Sequence, residues 1–99
     1  MNTHETDKLL PGHELVSAGL ADLAQGTISD AALLVLIASP RLKYLGIDVP
    51  DSAQPRPYEH ALYERLEERM GAAAHSHYNS LIRRIVSYAR ALERERSAP

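Results

Sequence analysis

The sequence predicts an all-α fold, a small bundle of four to five helices that ends in a long C-terminal amphipathic helix. Apolar residues recur at helical spacing in the segments that glycine and proline residues separate. The apolar side chains are mostly aliphatic: there are 14 alanines and 23 leucines, isoleucines and valines, but neither phenylalanine nor tryptophan. Because alanine and leucine are strong helix formers and 99 residues is the size of one domain, we expect a single helical domain with a thin aliphatic core.

The first half of the chain begins with a polar segment, residues 1–12, which ends in a Pro-Gly turn signal and predicts a flexible N-terminal arm. An amphipathic helix follows and stops at Gly26. Residues 31–38 are apolar throughout and predict a buried helix whose N-cap is Thr27 or Ser29. A central β-strand is the alternative for this segment, but the capping residues and the alanines favour the helix.

The Ser39-Pro40 pair predicts the start of a further short helix, because serine is favoured at the N-cap and proline at the first helical position. This helix is expected over residues 41–45 and ends at a glycine. Ile47 follows that glycine and is placed for the hydrophobic contact with Leu42 that accompanies a Schellman ending. The predicted corner would hold the end of the first half against the core.

Residues 48–56 are rich in proline and polar side chains and predict a linker. The linker joins two helical halves, 13–47 and 57–96, of a single domain over 13–96. The second half opens with a helix whose apolar residues recur every four positions. Gly71 then either turns the chain into a helical hairpin or is bridged within one continuous helix.

The strongest apolar stripe in the sequence belongs to the final helix. A stripe this broad must be covered, and any part that the first helices leave open would be a dimer or partner surface. Burial of its apolar residues would supply affinity, and arginines at the rim would set the orientation. The predicted interface comprises Tyr78, Leu81, Ile82, Arg84, Ile85, Tyr88, Arg90 and Leu92.

Composition argues against several classes of partner. The chain carries 11 basic and 13 acidic residues, so its net charge of −2 provides no general attraction to nucleic acid or to anionic membranes. The absence of cysteine excludes disulfides, thiolate zinc sites and cysteine nucleophiles, and it fits a cytoplasmic location. The first ten residues carry no apolar signal segment, and the longest apolar run, residues 31–38, is much shorter than the roughly 20 residues that span a bilayer. We therefore expect no membrane association.

The five histidines lack the spacing of metal ligands. His75 and His77 lie about 200° apart on a helical wheel and cannot hold one ion together. His60 and Glu64 can share a helix face, but a metal site needs at least one more ligand than these two residues provide. We therefore expect neither a metal nor another cofactor.

An alternative hypothesis is a helix-turn-helix regulator that binds DNA. Residues 27–46 would form the motif as a helix, the Ser39-Pro40 corner and a short second helix, with Arg41 and Lys43 as the DNA contacts. The net negative charge of this half of the chain and the brevity of the second helix weigh against it.

A third hypothesis is a small ligand-binding protein or enzyme. His75, Asn79 and Arg83 follow i, i+4, i+8 spacing along one edge of the final helix, where they could hydrogen-bond an anionic or polar ligand. The same spacing is typical of an ordinary polar border, and the sequence has no phosphate-binding glycine loop or nucleophile elbow.

These observations favour a protein-interaction or homo-oligomerisation module without catalytic activity of its own. Its partner is expected to be a second copy of the chain or another protein, bound through the final helix.

Overall fold

The computed structural model describes residues 10–97, and their regular structure is entirely helical. The all-α class is confirmed, and so is the long C-terminal amphipathic helix, which spans 24 residues. No strand occurs within residues 10–97, so the β-strand alternative for residues 31–38 is wrong. The helices are α1 (His13–Ala24), α2 (Asp30–Tyr44), α3 (Tyr58–Met70) and α4 (Ala74–Ser97), with a 3-10 turn (Gly71–Ala73) between α3 and α4.

The corner between α1 and α2 is fixed by Ser29, which is the N-cap of α2 in place of the alternative, Thr27. The Ser29 hydroxyl accepts a hydrogen bond from the backbone N–H of Ala32 at 3.1 Å. The same hydroxyl donates to the carboxylate of Asp22, near the end of α1, at 2.6 Å. One side chain therefore satisfies a free donor at the start of α2 and ties α2 to α1.

The predicted break at Ser39-Pro40 is wrong, because α2 continues through Pro40 to Tyr44. Proline removes one hydrogen bond of the helix, which normally favours a kink or a break. Here Leu42 is fully buried on the turn that follows, so packing against the core holds that turn in the helix. Tertiary packing has outweighed a local start signal.

The predicted Schellman ending at the end of this segment is confirmed. The backbone N–H of Ile47 donates to the carbonyl of Leu42 at 2.9 Å, and that of Gly46 donates to the carbonyl of Lys43 at 3.0 Å. Gly46 has a φ of 94°, in the left-handed region that this motif requires.

Helix α2 is the centre of the fold, since it packs against α1, α3 and α4. Every residue from 32 to 36 is buried, as expected of a segment that is apolar on all sides. The other three helices each contribute one apolar face. The largest fully buried side chains are Leu33, Leu34, Leu42, Leu62, Leu66, Leu92, Val16 and Val35.

Gly71 turns the chain into a hairpin, which decides between the two alternatives at this position. The rings of Tyr63 on α3 and Tyr78 on α4 pack edge to face with their centroids 5.4 Å apart. In one continuous helix, residues with this separation in sequence would be about 22 Å apart. Helix α4 therefore runs back along α3.

Residues 1–9 of the predicted N-terminal arm lie outside the described residues. Residues 10–12 precede α1, and Gly12 lies against α4. A Cβ placed on Gly12 would lie 2.9 Å from the carbonyl oxygen of Arg84 and 3.3 Å from the Cβ of Tyr88, so the backbone approaches α4 closely here.

Candidate functional site

The apolar stripe of α4 is largely part of the chain's own core, which corrects the predicted interface. Leu81, Ile85, Tyr88 and Leu92 are each at most 5% exposed. Helices α1, α2 and α3 all pack against α4 and cover these side chains. A partner could not dock on them without opening the fold. Tyr78 is half-buried against Tyr63, and this burial raises the pKa of its hydroxyl.

The two arginines predicted as rim charges have different environments. Arg84 donates a hydrogen bond to the carboxylate of Glu14 on α1 at 2.9 Å. A backbone hydrogen bond and this guanidinium together lower the pKa of Glu14. Arg90 is exposed and takes part in none of the ion pairs among residues 10–97. Arg84 therefore ties α1 to α4, whereas the charge of Arg90 is not neutralised by a carboxylate in this part of the chain.

Two apolar residues at the edge of the stripe do reach the surface. Ile82 is half-buried, and Val86 is 41% exposed. They border an open groove of about 200 Å³ between α2 and α4, which we call the α2/α4 groove. It is lined by Ile37, Ala38, Arg41, Ile82, Ile85, Val86 and Ala89.

Two arginines lie beside Val86, just outside the lining of the α2/α4 groove. Arg83 and Arg90 lie three residues before and four residues after Val86, so they flank it on the same exposed face of α4. Like Arg90, Arg83 forms no ion pair within the described part of the chain. Arg41 on α2 instead pairs with Glu93 on α4 and links the two helices beside the groove.

The predicted helix-turn-helix has no counterpart in the fold. Residues 30–44 form one helix whose first half is buried at the centre of the bundle, so no separate recognition helix follows a turn at Ser39-Pro40. Arg41 is committed to the ion pair with Glu93. Lys43 is exposed on a different side of α2 and lines a second cavity.

The predicted ligand site at His75, Asn79 and Arg83 is an exposed edge of α4. The side-chain nitrogen of Asn79 lies 3.3 Å from Nε2 of His75, so these two side chains form a hydrogen bond with each other. The His75 ring also lies 6.3 Å from the ring of Tyr63. None of the three residues lines the α2/α4 groove or the second cavity. The arrangement resembles a polar helix border more than an enclosed site.

The second cavity, about 430 Å³ in volume, lies between α2, the linker and the start of α3, and we call it the linker cavity. The sequence predicted residues 48–56 only as a connection. The signal available was the proline-rich composition, which indicates a stiff segment but does not show what it faces. The cavity is lined by Leu36, Ile37, Ser39, Pro40, Lys43, Val49, Pro50, Asp51, Ser52, Arg56, Pro57, Tyr58 and Glu59.

Among residues 10–97, no group of three histidine, cysteine or acidic side chains is arranged to hold a metal ion. His60 and Glu64 lie on one face of α3, as predicted, with Nε2 3.6 Å from the carboxylate, and both are exposed. None of the helices in the described ranges combines the length and apolar character needed to cross a bilayer.

Comparison with protein-family models, with curated proteins and with solved structures found no match to this chain.

Proposed function

We propose that this protein is an interaction module that binds an acidic, amphipathic segment of a partner protein in the α2/α4 groove. The observation that carries the proposal is the exposed side chain of Val86, which borders an apolar groove between two arginines without carboxylate partners in residues 10–97.

Exposed apolar groups at this surface support a docking role. Val86 and Tyr44 are two of the large hydrophobic residues that the fold leaves exposed, at 41% and 86%. Tyr44 follows Ile37 by seven residues on α2, so it extends the same side of the helix beyond the groove. Tyrosine is enriched in protein interfaces because it joins a large apolar area to a polar tip.

Charge favours an acidic partner over a second copy of the chain. In a two-fold dimer the same patch occurs on both subunits, so a contact centred on Val86 would bring the Arg83 and Arg90 cations of both copies together. Like charges at an interface oppose association. Carboxylates on a different protein would instead pair with these arginines while an aliphatic side chain entered the groove.

The size of the groove sets the expected affinity. A volume of about 200 Å³ accommodates one or two side chains. Stable interfaces bury about 800 Å² on each partner, which a groove of this size does not supply. We therefore expect transient binding that weakens as salt increases, because the rim charges are exposed and screened.

The test uses two designed helical peptides with the same leucine stripe, one flanked by glutamates and the other by lysines. Fluorescence anisotropy should detect binding of the glutamate peptide alone. Val86→Asp should abolish it, and Arg83→Glu combined with Arg90→Glu should transfer the preference to the lysine peptide. Ser76→Asp, an exposed change on α4 about 15 Å before Val86 along the helix, is the matched control and should bind normally.

Equal binding of the two peptides, or normal binding by Val86→Asp, would contradict the proposal. Light scattering tests whether a second copy of the chain, rather than an acidic partner, fills the groove. A stable species of twice 10.9 kDa that Val86→Asp converts to monomer would show that a second copy fills the groove, and would overturn the proposal of an acidic partner.

A further inference from the structure

The linker cavity combines charges of both signs with an apolar wall. Of the residues that line it, Lys43 and Arg56 are basic and Asp51 and Glu59 are acidic. None of these four groups takes part in an ion pair among residues 10–97, although all four line the same space. Both signs of charge therefore remain available to a molecule that enters the cavity.

The charge pattern selects the class of ligand. A simple anion would be attracted by the cations but repelled by the carboxylates. A simple cation would be attracted by the carboxylates but repelled by the cations. A molecule that carries an ammonium group and a carboxylate can satisfy both sets at once. Charge-assisted hydrogen bonds to such groups are the stronger kind.

The uncharged part of the lining indicates what else the ligand carries. Leu36, Ile37 and Val49 form an apolar section of the wall. This surface suits an aliphatic side chain on the same small molecule. The volume of about 430 Å³ falls in the range of small-molecule sites, which extends from about 300 to 1,000 Å³.

Parts of the lining are held in place. Pro40, Pro50 and Pro57 restrict the backbone on both sides of the cavity. The guanidinium carbon of Arg56 lies 5.7 Å from the centre of the Tyr58 ring, a cation–π contact that orients the arginine. The Ser52 hydroxyl accepts a hydrogen bond from the backbone N–H of Gln54 at 3.1 Å, which leaves its own proton free to donate.

We infer that the linker cavity binds a free α-amino acid with an aliphatic side chain. The ligand carboxylate lies toward Lys43 and Arg56, its ammonium group lies toward Asp51 and Glu59, and its side chain contacts the apolar wall. This inference is independent of the α2/α4 groove. Because the cavity is open and the ligand small, the dissociation constant is expected to be about 1 mM.

The experiment is an NMR titration of the ¹⁵N-labelled protein with L-leucine and two analogues that each lack one charge. L-leucine should give saturable shifts confined to residues around the linker cavity. 4-Methylpentanoate, which lacks the ammonium group, and 3-methylbutylamine, which lacks the carboxylate, should each bind about tenfold more weakly.

Variants test which charged residue of the cavity contacts which group of the ligand. Arg56→Gln should weaken L-leucine binding about tenfold but should not weaken the binding of 3-methylbutylamine, since that analogue has no carboxylate and its ammonium group is repelled by the arginine. Asp51→Asn should weaken L-leucine but not 4-methylpentanoate. Arg94→Gln, an exposed change outside the cavity, should match the wild type and is the control.

Three results would overturn the inference. The first is the absence of saturable shifts at about 10 mM L-leucine, well above the expected dissociation constant. The second is equal binding of L-leucine and either analogue, which would remove the requirement for both charges. The third is shifts that map away from the linker cavity or that Arg56→Gln leaves unchanged.

Discussion

A Cβ atom placed on Gly19 would lie 2.4 Å from the carbonyl oxygen of Ala31, so α1 and α2 approach each other through their backbones at this point. The same atom would lie 2.5 Å from a methyl carbon of Val35. Real side chains do not make contacts this short, so the position accepts only glycine unless the two helices move apart.

We therefore predict that Gly19→Ala destabilises the protein. Alanine favours a helix over glycine by about 1 kcal/mol, but overpacking costs about 1–3 kcal/mol or more, and here one of the opposing atoms belongs to the backbone. We expect a net loss of about 2 kcal/mol in the free energy of unfolding, measured by urea denaturation. Ser17→Ala, an exposed change on the same helix, is the control. Equal stability of the two variants would contradict the close helix contact.

Asp30 should give the protein a component of stability that depends on pH. A hydrogen bond from Arg69 at 2.5 Å, the largest cause, and another from Arg65 at 3.0 Å lower the pKa of Asp30 from its ordinary value of 3.8. Because the folded-state pKa lies below the unfolded one, this stability is present above about pH 4 and is lost as pH falls through the lowered value.

Asp30→Asn should therefore be less stable than the wild type at pH 7, by about 1 kcal/mol after allowance for solvent screening of the exposed arginines. The difference should shrink as pH falls below about 4. Urea denaturation at several pH values measures it, with Glu67→Gln, an exposed change on α3, as the control. A difference that stays constant down to low pH would rule out the ionised Asp30 as its source.

Neighbouring residues on α4 should respond in opposite ways to the same substitution. Ile85 is 2% exposed, so Ile85→Asp places a carboxylate in the core and should lower stability by about 4 kcal/mol, which is most of the free energy of unfolding of a marginally stable domain. Val86 is 41% exposed, and Val86→Asp should cost less than about 1 kcal/mol. Thermal melting followed by circular dichroism measures the stability of both variants and distinguishes them. An Ile85→Asp variant that melts at the wild-type temperature would refute the assignment of Ile85 to the core.

Ser29 and Asp22 should be energetically coupled. Ser29→Ala removes the N-cap of α2 and its bond to Asp22, and we expect a loss of about 1 kcal/mol. Asp22→Ala should have a smaller effect once Ser29 is already alanine. A double-mutant cycle by urea denaturation measures this coupling, with Thr27→Ala as the exposed control. Strict additivity would mean that the 2.6 Å contact does not contribute to stability.

Features that depend on neighbouring residues in the sequence were predictable. The Schellman ending at Gly46 follows from a glycine and from the spacing of two apolar residues, and it is present. The apolar stripe of α4 and the buried first half of α2 follow from periodicity. Both candidate N-caps of α2 were recognised, but only the approach of Asp22 distinguishes Ser29 from Thr27.

Features that depend on packing between distant segments were not predictable. Pro40 carries a valid start signal, and only the burial of Leu42 explains why the helix continues through it. The α2/α4 groove joins Ile37 to Val86, and the linker cavity joins Lys43 to Arg56; no local pattern relates the members of these pairs. The same limit explains why the sequence predicts an interface at Ile85 and its buried neighbours: periodicity identifies an apolar face but not the molecule that covers it.

The central position of α2 has a consequence for synthesis of the protein. Ribosomes make this helix before the linker, whereas α3 and α4, which cover two of its sides, are made after the linker. A nascent chain that has reached only the linker therefore exposes the most apolar segment of the protein to the cellular environment. Folding can be completed only after α4 has left the ribosome, so premature termination within the second half should yield an aggregation-prone fragment rather than a smaller stable domain.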